Sequence, residues 1–436
     1  MAPQKSVSEL ASLIKDQAVA LENATKNSGG VGLPFTYGSP LKTSLSPSLE
    51  TARSDLLELV DDLHARLLGP IGYLINRSLE QTSIIAILHF LYSFDVASHV
   101  PLDANESITY EDLAARIGVP LDDTRRVVQA AIASRIFEEA AVDTSVKHNA
   151  VSSALVIEGM KSYIGLGTED FPYGLIKFVE SLRRYPGSGE PGHAALMIGC
   201  RAEAGQPEDV KDPSKSFFDY ISSDEKRVKR FRSAMGFSLS SPAQASSHFV
   251  ENLPWAKTGE CPETIVDIAG AGGELCQAIL RRYDGVKKAV VLDLPEVVAN
   301  AKAPGDLEGR LEFAEYNFFT EKVTHRADAY VLRHIFHDWS DQYVVKILRN
   351  LVPALQNGSR IWINDIVIED LSEEKHLQNQ RQRALDMMMK QGFNSKERTR
   401  RGWVEVFKAA DKRFNVETIV QPEGALDAII GVVFRE

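Results

Sequence analysis

The sequence is poor in cysteine and lacks a long apolar run. Its three cysteines, Cys200, Cys261 and Cys276, are an odd number at spacings that fit neither a disulfide framework nor a zinc ribbon, which indicates a reduced, intracellular setting. The longest apolar run, Ser83–Phe94, contains His89 and is too short to span a bilayer. The amino terminus also lacks the uninterrupted apolar segment of a secretory signal. The sequence alone therefore predicts a cytoplasmic protein with no membrane partner.

Basic residues are also fewer than acidic residues. Sixty acidic and 49 basic residues give a formal net charge of -11, a field that repels a phosphate backbone, so nucleic acid is not an expected partner. The ten histidines and three cysteines form no HExxH, HxH or CxxC pair, so no metal site is predicted. A composition with 44% hydrophobic and 25% charged residues excludes extended disorder. At 436 residues the chain is long enough for at least two domains.

The amino-terminal half is predicted to be mainly helical. Apolar residues recur at helical spacing from Ser6 to about Lys26 and from Ser48 to Leu68. Ser83–Phe94 is apolar nearly all round, as a buried helix would be. Helical patterns continue in Tyr173–Arg184 and Asp224–Met235. We therefore expect an all-helical opening with few strands.

A helix-turn-helix pattern interrupts this helical region. One helix begins after the capping residue Thr109, a second covers Asp122–Ile136, and Ile136–Glu139 and Val146–His148 are predicted strands of a wing. Such a unit either binds DNA or serves packing and dimerisation. The second helix carries three arginines, Arg125, Arg126 and Arg135. Acidic residues flank them, however, which favours packing over a regulator that binds DNA through residues 107–150.

The pattern changes after Trp255. Short β-rich runs then alternate with helical stretches, which predicts an α/β unit with a parallel sheet and helices on both faces. The runs are Thr264–Ile268, Ala289–Asp293, Ala329–Leu332 and Arg360–Asp365, and Val416–Val420 and Ala428–Phe434 add a hairpin at the end. We predict a helical domain over residues 1–215, with a winged-helix-like unit at about 107–155, and an α/β domain over residues 216–436.

A loop of small residues, Ala269–Gly273, follows the first of these runs and precedes a helix. Its small side chains let a ligand approach the backbone and the helix amino terminus. Leu275 stands where a dinucleotide fingerprint needs a third glycine, which disfavours NAD. Asp293 ends the next run and can accept hydrogen bonds from both hydroxyls of a ribose. With no basic residue beside the loop in sequence, the pattern favours S-adenosylmethionine; the alternative is a tight turn that binds nothing.

The candidate catalytic residues lie in and around Arg333–Asp341. This stretch begins where the third run ends, the edge at which open α/β sheets place their ligands. His337 is the candidate base, and Asp365 and Glu397 can converge on it. A carboxylate bonded to one imidazole nitrogen fixes the tautomer and leaves the other nitrogen to accept a proton. Methyl transfer to a hydroxyl requires such a base.

Three motifs resemble the plant caffeic-acid-type O-methyltransferases and their fungal secondary-metabolite relatives. They are His337-Asp338-Trp339-Ser340-Asp341, Asp293-Leu294-Pro295 and Lys396-Glu397-Arg398-Thr399. With the helical front half, the resemblance covers nearly the whole chain. It implies a Rossmann-like methyltransferase domain, a winged-helix dimerisation domain and a homodimer. It also implies that His337 is the general base, flanked by Asp365 and Glu397.

The resemblance implies further site residues. Those expected to bind the cofactor are Asp267, Ala269, Gly270, Gly272, Asp293, Leu294, Asn317, Phe318 and Arg333, and those expected to bind substrate are Phe231, Arg232, Met235 and Trp339. The family loop usually reads DxGGGxG, whereas this chain has alanine at positions 269 and 271. Each added methyl group is expected to crowd the cofactor or to require a φ that alanine disfavours. Asn317 stands where many members have Asp.

The sequence thus predicts transfer of a methyl group from S-adenosylmethionine to a hydroxyl, phenolic by preference, of a polyketide-like or other small aromatic metabolite. An alternative on the same scaffold is a pericyclic reaction or a dehydration in which the cofactor is bound but not consumed. The two loop alanines and Arg232 motivate that alternative. The complete base with its two acids argues against it, because catalytic groups rather than fold decide function.

Overall fold

The computed structural model describes residues 5–27, 35–39, 45–103, 105–206, 211–258, 261–371 and 375–435. The chain forms two compact units, neither of which is continuous in sequence. The first comprises Met1–Pro172, Ile221–Leu239 and Ser372–Gln378, and the second comprises Tyr173–Tyr220, Ser240–Leu371 and Asn379–Glu436. The domain boundary predicted between residues 215 and 216 stays a prediction.

The first unit is mainly helical, as predicted. Its α-helices are Val7–Asn27, Pro47–Ile75, Gln81–Ser93, Val96–His99, Tyr110–Ile117, Leu121–Ala133, Ala150–Ala154, Glu158–Gly165 and Glu225–Leu239, with π-helical turns at Asn76–Glu80 and Leu166–Asp170. The helix expected to end at Leu68 continues to Ile75 across a kink at Gly69. Gly69 has φ 66°, a conformation that glycine adopts without steric cost, and Pro70 follows it.

The predicted helix-turn-helix and wing are present in the structure. The first helix begins after Thr109, whose hydroxyl oxygen accepts a hydrogen bond from the backbone N–H of Asp112 at 3.1 Å, and the second ends at Ala133 rather than at the predicted Ile136. Three short strands complete the unit, of which only the two of the wing were predicted. They are β1 Ile108–Thr109, β2 Glu138–Ala141 and β3 Ser145–Lys147, in the antiparallel order β1-β3-β2.

The helix Gln81–Ser93 is confirmed as a helix, but its predicted burial on all sides is wrong. Ile87 and Leu91 face the core of the first unit, where they pack with residues of the winged-helix-like unit. Ile85 is 44% exposed and Phe94 40% exposed. The core of this unit covers one side of the helix, so the apolar residues on its other side remain at the surface of the single chain.

A seven-stranded sheet lies at the centre of the second unit. Its strands are β4 Thr264–Ile268, β5 Lys288–Asp293, β6 Leu311–Glu315, β7 Ala329–Arg333, β8 Arg360–Asp365, β9 Phe414–Val420 and β10 Ala428–Phe434, in the order β6-β5-β4-β7-β8-β10-β9. The first five run parallel to their neighbours. β10 is antiparallel to both β8 and β9, which forms the predicted hairpin at the end. Only β6, within this sheet, was missed from the sequence.

Helices cover both faces of this sheet. The α-helices of this part of the chain are Pro172–Arg184, Ala195–Glu203, Phe217–Ser222, Ser246–Asn252, Trp255–Thr258, Glu274–Arg282, Pro295–Val298, Asp341–Leu351, His376–Phe393 and Arg400–Ala410. Alternate residues of β4 enter different cores: Val266 packs with the helices at 341–351 and 400–410, and Ile265 with the helix at 274–282. Among the described residues, no helix combines the length and apolarity needed to cross a bilayer.

Candidate active site

The carboxyl ends of four parallel strands carry predicted site residues. Asp267 lies one residue before the end of β4, and Asp293, Arg333 and Asp365 are the last residues of β5, β7 and β8. The strands are adjacent in the sheet and parallel, so these residues share one edge. The sequence predicted this convergence from strand ends alone.

His337 lies on a single 3-10 turn, Phe336–Asp338, just beyond β7. Its Nδ1 is 3.2 Å from Oε1 of Glu397 and 3.5 Å from Oδ1 of Asp365. Its backbone N–H donates to Oδ2 of Asp365 at 3.2 Å. The structure therefore brings the three predicted catalytic residues together. Both acids are buried, while the imidazole is 17% exposed.

The second ring nitrogen of His337 has a different environment. Nε2 is 3.6 Å from Oδ1 of Asp338, too far for a hydrogen bond, and it has no hydrogen bond to any residue that the structure describes. A ring held through Nδ1 with Nε2 unbonded is the arrangement of a general base. The catalytic roles of the three residues stay predictions.

Buried carboxylates determine the protonation of this site. Burial lowers the pKa of His337, but the negative charges of Asp365, Asp338 and Glu397 outweigh that effect and raise the pKa well above its ordinary value. Burial raises the pKa of Asp338 to about 7, against the opposing effect of His337. Burial likewise raises the pKa of Glu397. The site thus combines an imidazole of raised basicity with neighbouring carboxyl groups whose pKa values are also raised.

Arg398 fixes the chain around His337. Its guanidinium donates to the carbonyl oxygens of Phe336 at 2.7 Å and Trp339 at 2.8 Å, and its Nε donates to Oδ1 of Asp341 at 3.0 Å. The Arg398 side chain is completely buried. Ser395 adds a hydrogen bond from its hydroxyl to the carbonyl oxygen of His337 at 2.6 Å.

No role for Arg398 or Ser395 was predicted from the sequence. The available signal was their nearness to Glu397: Arg398 lies within the motif Lys396-Glu397-Arg398-Thr399 and Ser395 directly precedes it. Arg398 also lies within 5.5 Å of the Trp403 ring centroid, so packing as well as hydrogen bonding holds it. The motif therefore supplies a carboxylate to the imidazole and a guanidinium to the backbone on both sides of it.

The small-residue loop adopts an unusual backbone conformation. Ala269 has φ 58° and Ala271 has φ 49°, the left-handed region that the sequence analysis expected to disfavour alanine. Gly273, with φ 75°, precedes the helix Glu274–Arg282. The N–H of Ala271 donates to Oδ2 of Asp293 at 2.9 Å, which ties the loop to the end of β5.

The loop residues fit S-adenosylmethionine. A Cβ at Gly270 would lie 2.5 Å from Oδ2 of Asp267, so the backbone there passes too close for any side chain. Burial raises the pKa of Asp267 to about 7, and burial also raises that of Asp293. Oδ1 of Asp293 accepts from the N–H of Leu294 at 2.7 Å, and the carboxylate stays partly exposed at the sheet edge. Carboxylates here suit ribose hydroxyls and a cation rather than a phosphate.

The remaining predicted cofactor residues lie at the same sheet edge. Oδ1 of Asn317 accepts from the N–H of Phe319 at 2.9 Å and closes a turn after β6, and the ring of Phe318 packs against Phe319. Arg333 donates from Nε to Oδ1 of Asn364 at 2.9 Å and from Nη2 to a backbone carbonyl oxygen at 2.5 Å. Burial lowers the pKa of Arg333. Contacts of these residues with a cofactor stay predictions.

The predicted substrate residues divide between the two units. Phe231, Arg232 and Met235 lie on the helix Glu225–Leu239 of the first unit. Trp339 belongs to the second unit, where it is 8% exposed and packs edge-on against the ring of Phe319, with 4.5 Å between centroids. Their contacts with substrate stay predictions.

His337, Asp365 and Glu397 form the one group of potential metal ligands in the described part of the chain. Nδ1 of His337 and one oxygen each of Asp365 and Glu397 lie within 4.8 Å of one another. The hydrogen bond between Nδ1 and Glu397 already satisfies the ring nitrogen, as an acid–base pair would. The expected lack of a metal stays a prediction.

Comparisons with known proteins identify relatives of the whole chain. A family model described as an O-methyltransferase domain matches residues 215–412. O-methyltransferase kk1A of Curvularia clavata is 31% identical over 434 residues, which cover 98% of this chain and 97% of the relative. The crystal structure of OxaC in complex with sinefungin and meleagrin is similar with a TM-score of 0.74 at 20% identity, covering 97% of this chain and 98% of OxaC. The structure of a LepI variant in complex with SAH and a substrate analogue is similar with a TM-score of 0.72 at 19% identity, covering 98% of this chain and 100% of LepI.

Proposed function

The chain belongs to the S-adenosylmethionine-dependent O-methyltransferases, and on that premise we propose that it methylates a phenolic hydroxyl of a small secondary metabolite with His337 as the general base. One observation carries the proposal. Nδ1 of His337 is paired with the buried acids Glu397 and Asp365, while Nε2 has no hydrogen bond to a described residue. That arrangement suits removal of a proton from a substrate hydroxyl.

The chain's residues have separable tasks in this reaction. A phenol with a pKa of about 10 is mostly neutral at pH 7. Nε2 of His337 would therefore accept the phenolic proton as the oxygen takes up the methyl group that the cofactor would supply. Glu397 and Asp365 hold Nδ1–H and stabilise the imidazolium that forms. When bound, S-adenosylmethionine supplies an activated methyl group and a positive charge. A positioned general base contributes on the order of 10²–10⁴ in rate.

The charge of the site explains how a base with a raised pKa is free at neutral pH. Three carboxylates favour the protonated form of His337 in the free protein. A bound cofactor with a positive charge would disfavour that form, because like charges repel, and would thereby favour the neutral imidazole that acts as a base.

Incubation with methyl-labelled S-adenosylmethionine and phenolic metabolites tests the proposal. We expect label in the product and one S-adenosylhomocysteine for each product molecule. His337→Ala should lose at least about 100-fold in turnover with cofactor affinity nearly intact, and His325→Ala, at an exposed histidine before β7, should keep full activity. Full turnover by His337→Ala would refute the assignment of the base.

A second reaction on this scaffold leaves the cofactor unconsumed, its charge polarising a carbonyl in a pericyclic reaction or a dehydration. The observation that favours it is the pair of alanines at positive φ, 58° and 49°, in the loop expected to hold the cofactor. The intact arrangement of His337, Asp365 and Glu397 favours methyl transfer instead. An isomerised or dehydrated product without S-adenosylhomocysteine would select the second reaction.

The winged-helix-like unit is proposed to serve dimerisation rather than DNA binding. Arg125 pairs with Glu111 at 3.1 Å and Arg126 with Asp122 at 3.1 Å, so local acids neutralise both arginines of the second helix, while Arg135 lies beyond its end at Ala133. A DNA-binding surface presents such charges to phosphate. A gel shift at physiological salt that shows specific duplex binding would contradict this proposal.

We propose that the first unit carries the interface of a homodimer. The helix Pro47–Ile75 and the turn after it present large apolar side chains to solvent. The most exposed are Leu67 at 69%, Ile71 at 75%, Leu74 at 68% and Leu79 at 67%. Several large exposed apolar side chains close together in the chain are typical of an interaction site rather than of a free surface.

A further inference from the structure

A second imidazole–carboxylate pair lies beside His337. Nε2 of His334 is 2.7 Å from Oδ2 of Asp427. The rings of His334 and His337 are nearly parallel, with 5.8 Å between centroids and 29° between planes. His334 follows β7 and Asp427 precedes β10, so both lie at the edge of the sheet that carries the candidate active site. The reaction proposed above uses neither residue.

The backbone at His334 is held in an unfavourable conformation. Its φ is 53°, in the left-handed region, and its N–H donates to the carbonyl oxygen of Asn364 on β8 at 3.0 Å. A left-handed residue other than glycine costs about 1 kcal/mol or more and persists where the surrounding structure enforces it. Such residues cluster at functional sites. Here the turn directs the ring of His334 to the same side as that of His337.

Asp427 determines which nitrogen of His334 remains available. The Asp427 side chain is 5% exposed, and its Oδ2 accepts the hydrogen bond from Nε2–H of His334. Nδ1 has no hydrogen bond to any residue in the described part of the chain, and the His334 side chain is 18% exposed. Nη2 of Arg333 lies 3.9 Å from Oδ2 of Asp427. The pair therefore presents one oriented polar atom, Nδ1, at the site edge.

We propose that Nδ1 of His334 binds a second oxygen of the methyl acceptor, so that the acceptor class is a 1,3-dioxygenated aromatic. The inference rests on the proposed function, because it assigns the methylated hydroxyl to His337. The centroids of the two rings are 5.8 Å apart, which is nearer to the wider spacing of oxygens on alternate carbons of an aromatic ring than to the spacing of oxygens on adjacent carbons. The 1,3 arrangement therefore matches the two imidazoles better than the 1,2 arrangement. His334 is thus a specificity-determining residue and not the base.

Matched acceptors that differ in one oxygen test this assignment. The probes are 5-methylbenzene-1,3-diol, 3-methylphenol and 4-methylbenzene-1,2-diol, measured for kcat/KM with S-adenosylmethionine and for affinity by calorimetry with S-adenosylhomocysteine. We expect the 1,3-diol to exceed both other probes by about 10–100-fold, the range for one well-placed hydrogen bond to a buried or charged partner. Equal values for all three, or failure of every probe to bind and react, would overturn the inference.

Variants connect the preference to His334. His334→Asn is the chosen substitution, because asparagine tolerates a left-handed backbone but is too short to replace the ring. It should abolish the preference for the 1,3-diol by lowering the value for that probe much more than the value for 3-methylphenol. A purely structural role would lower both values together, and that result would overturn the inference. His325→Asn, at an exposed histidine before β7, should keep the preference.

A second variant covers the case in which His334→Asn does not fold. Asp427→Asn keeps a hydrogen-bond acceptor for Nε2–H but removes the charge, so we expect about a threefold to tenfold weaker preference for the 1,3-diol. An unchanged preference in a folded Asp427→Asn protein would contradict the role of the pair. Preferential binding of the 1,3-diol without formation of S-adenosylhomocysteine would refute methyl transfer and leave the role of His334 intact.

Discussion

His337 is bonded to carboxylates that raise the pKa of its ring, and this predicts the direction of a pH effect. A protonated imidazole cannot accept a proton, so turnover should rise with pH through the pKa of His337. Asp365→Asn removes a negative charge that stabilises the imidazolium, which lowers that pKa. We therefore expect the acidic limb of the kcat–pH profile to move to lower pH in Asp365→Asn.

The measurement is kcat across about pH 5–9 at saturating cofactor and acceptor. Asp370→Asn is the matched control, because Asp370 is an exposed carboxylate in the loop after β8. The acidic limb of the kcat–pH profile of Asp370→Asn should coincide with that of the unmodified protein. A shift of the Asp365→Asn limb to higher pH would show that His337 is not the titrating base.

Ala269 and Ala271 carry backbone strain that glycine would relieve. Both have positive φ, 58° and 49°. A left-handed alanine costs about 1–2 kcal/mol, partly offset by the lower entropy that alanine gives the unfolded chain. We expect Ala269→Gly and Ala271→Gly each to raise the free energy of unfolding by about 0.5–1 kcal/mol. Both should also bind S-adenosylmethionine more tightly, because a methyl group leaves the loop.

Chemical denaturation and calorimetry measure these two effects. Ala278→Gly is the control with the opposite expected sign, since Ala278 lies inside the helix Glu274–Arg282. Glycine there should lower the free energy of unfolding by about 0.5–1 kcal/mol. Destabilisation by all three substitutions would show that the loop conformation does not strain alanine.

At the scale of elements, strand ends were the informative part of the sequence. β4, β5, β7 and β8 are buried on both faces, so they read as continuous β-rich runs, and their last residues located the site edge. β6 was missed because it is an edge strand with exposed glutamates at both Glu312 and Glu315. With these polar residues, the segment could not be distinguished in sequence from the neighbouring loops.

Two sets of contacts in the site could not be predicted from local sequence patterns. The pair of His334 and Asp427 joins residues far apart in the chain through a turn with positive φ, which neither propensity nor periodicity predicts for histidine. The bonds of Arg398 to two carbonyl oxygens depend on where the backbone passes after folding. Spacing could therefore predict His337 and its acids but not the residues that orient them.

Arg398 joins two elements, the turn that carries His337 and the helix Arg400–Ala410, and its loss should affect both fold and activity. Arg398→Met removes the guanidinium that donates to the carbonyl oxygens of Phe336 and Trp339, and the Phe336 oxygen then keeps only the longer bond from the N–H of Trp339 at 3.3 Å among those the structure describes. We expect a decrease of about 2–4 kcal/mol in the free energy of unfolding. In the protein that remains folded, kcat should fall more than KM changes, because the base is displaced rather than the binding surface.

Denaturation curves give the free energy of unfolding, and steady-state kinetics on the same preparation give kcat and KM. Arg401→Met is the control, because Arg401 is 87% exposed and pairs with Glu405 on the surface of the helix. Its effect on unfolding should stay within about 0.5 kcal/mol. An Arg398→Met protein with normal stability and kcat would show that the turn holds its shape without the guanidinium.

At the scale of the whole molecule, the single chain leaves apolar surface that a second copy would cover. Ile71 and Leu74 are three residues apart in the part of Pro47–Ile75 that follows the kink at Gly69, so they lie on one side of that segment, and both are more than two-thirds exposed. Burying charge in such an interface without a partner is costly. The double variant Ile71→Glu/Leu74→Glu should therefore convert a dimer into a monomer at micromolar concentration.

Light scattering after size-exclusion chromatography checks this by molar mass. Val420→Glu is the matched control, because Val420 is 55% exposed at the end of the edge strand β9 in the second unit, outside the proposed interface, and the substitution adds the same kind of charge. We expect Val420→Glu to remain dimeric. The first unit should stay helical by circular dichroism in both variants, since the replaced side chains are exposed in the single chain. A monomeric mass for the unmodified protein would refute the interface, and a dimeric Ile71→Glu/Leu74→Glu protein would place it on another surface.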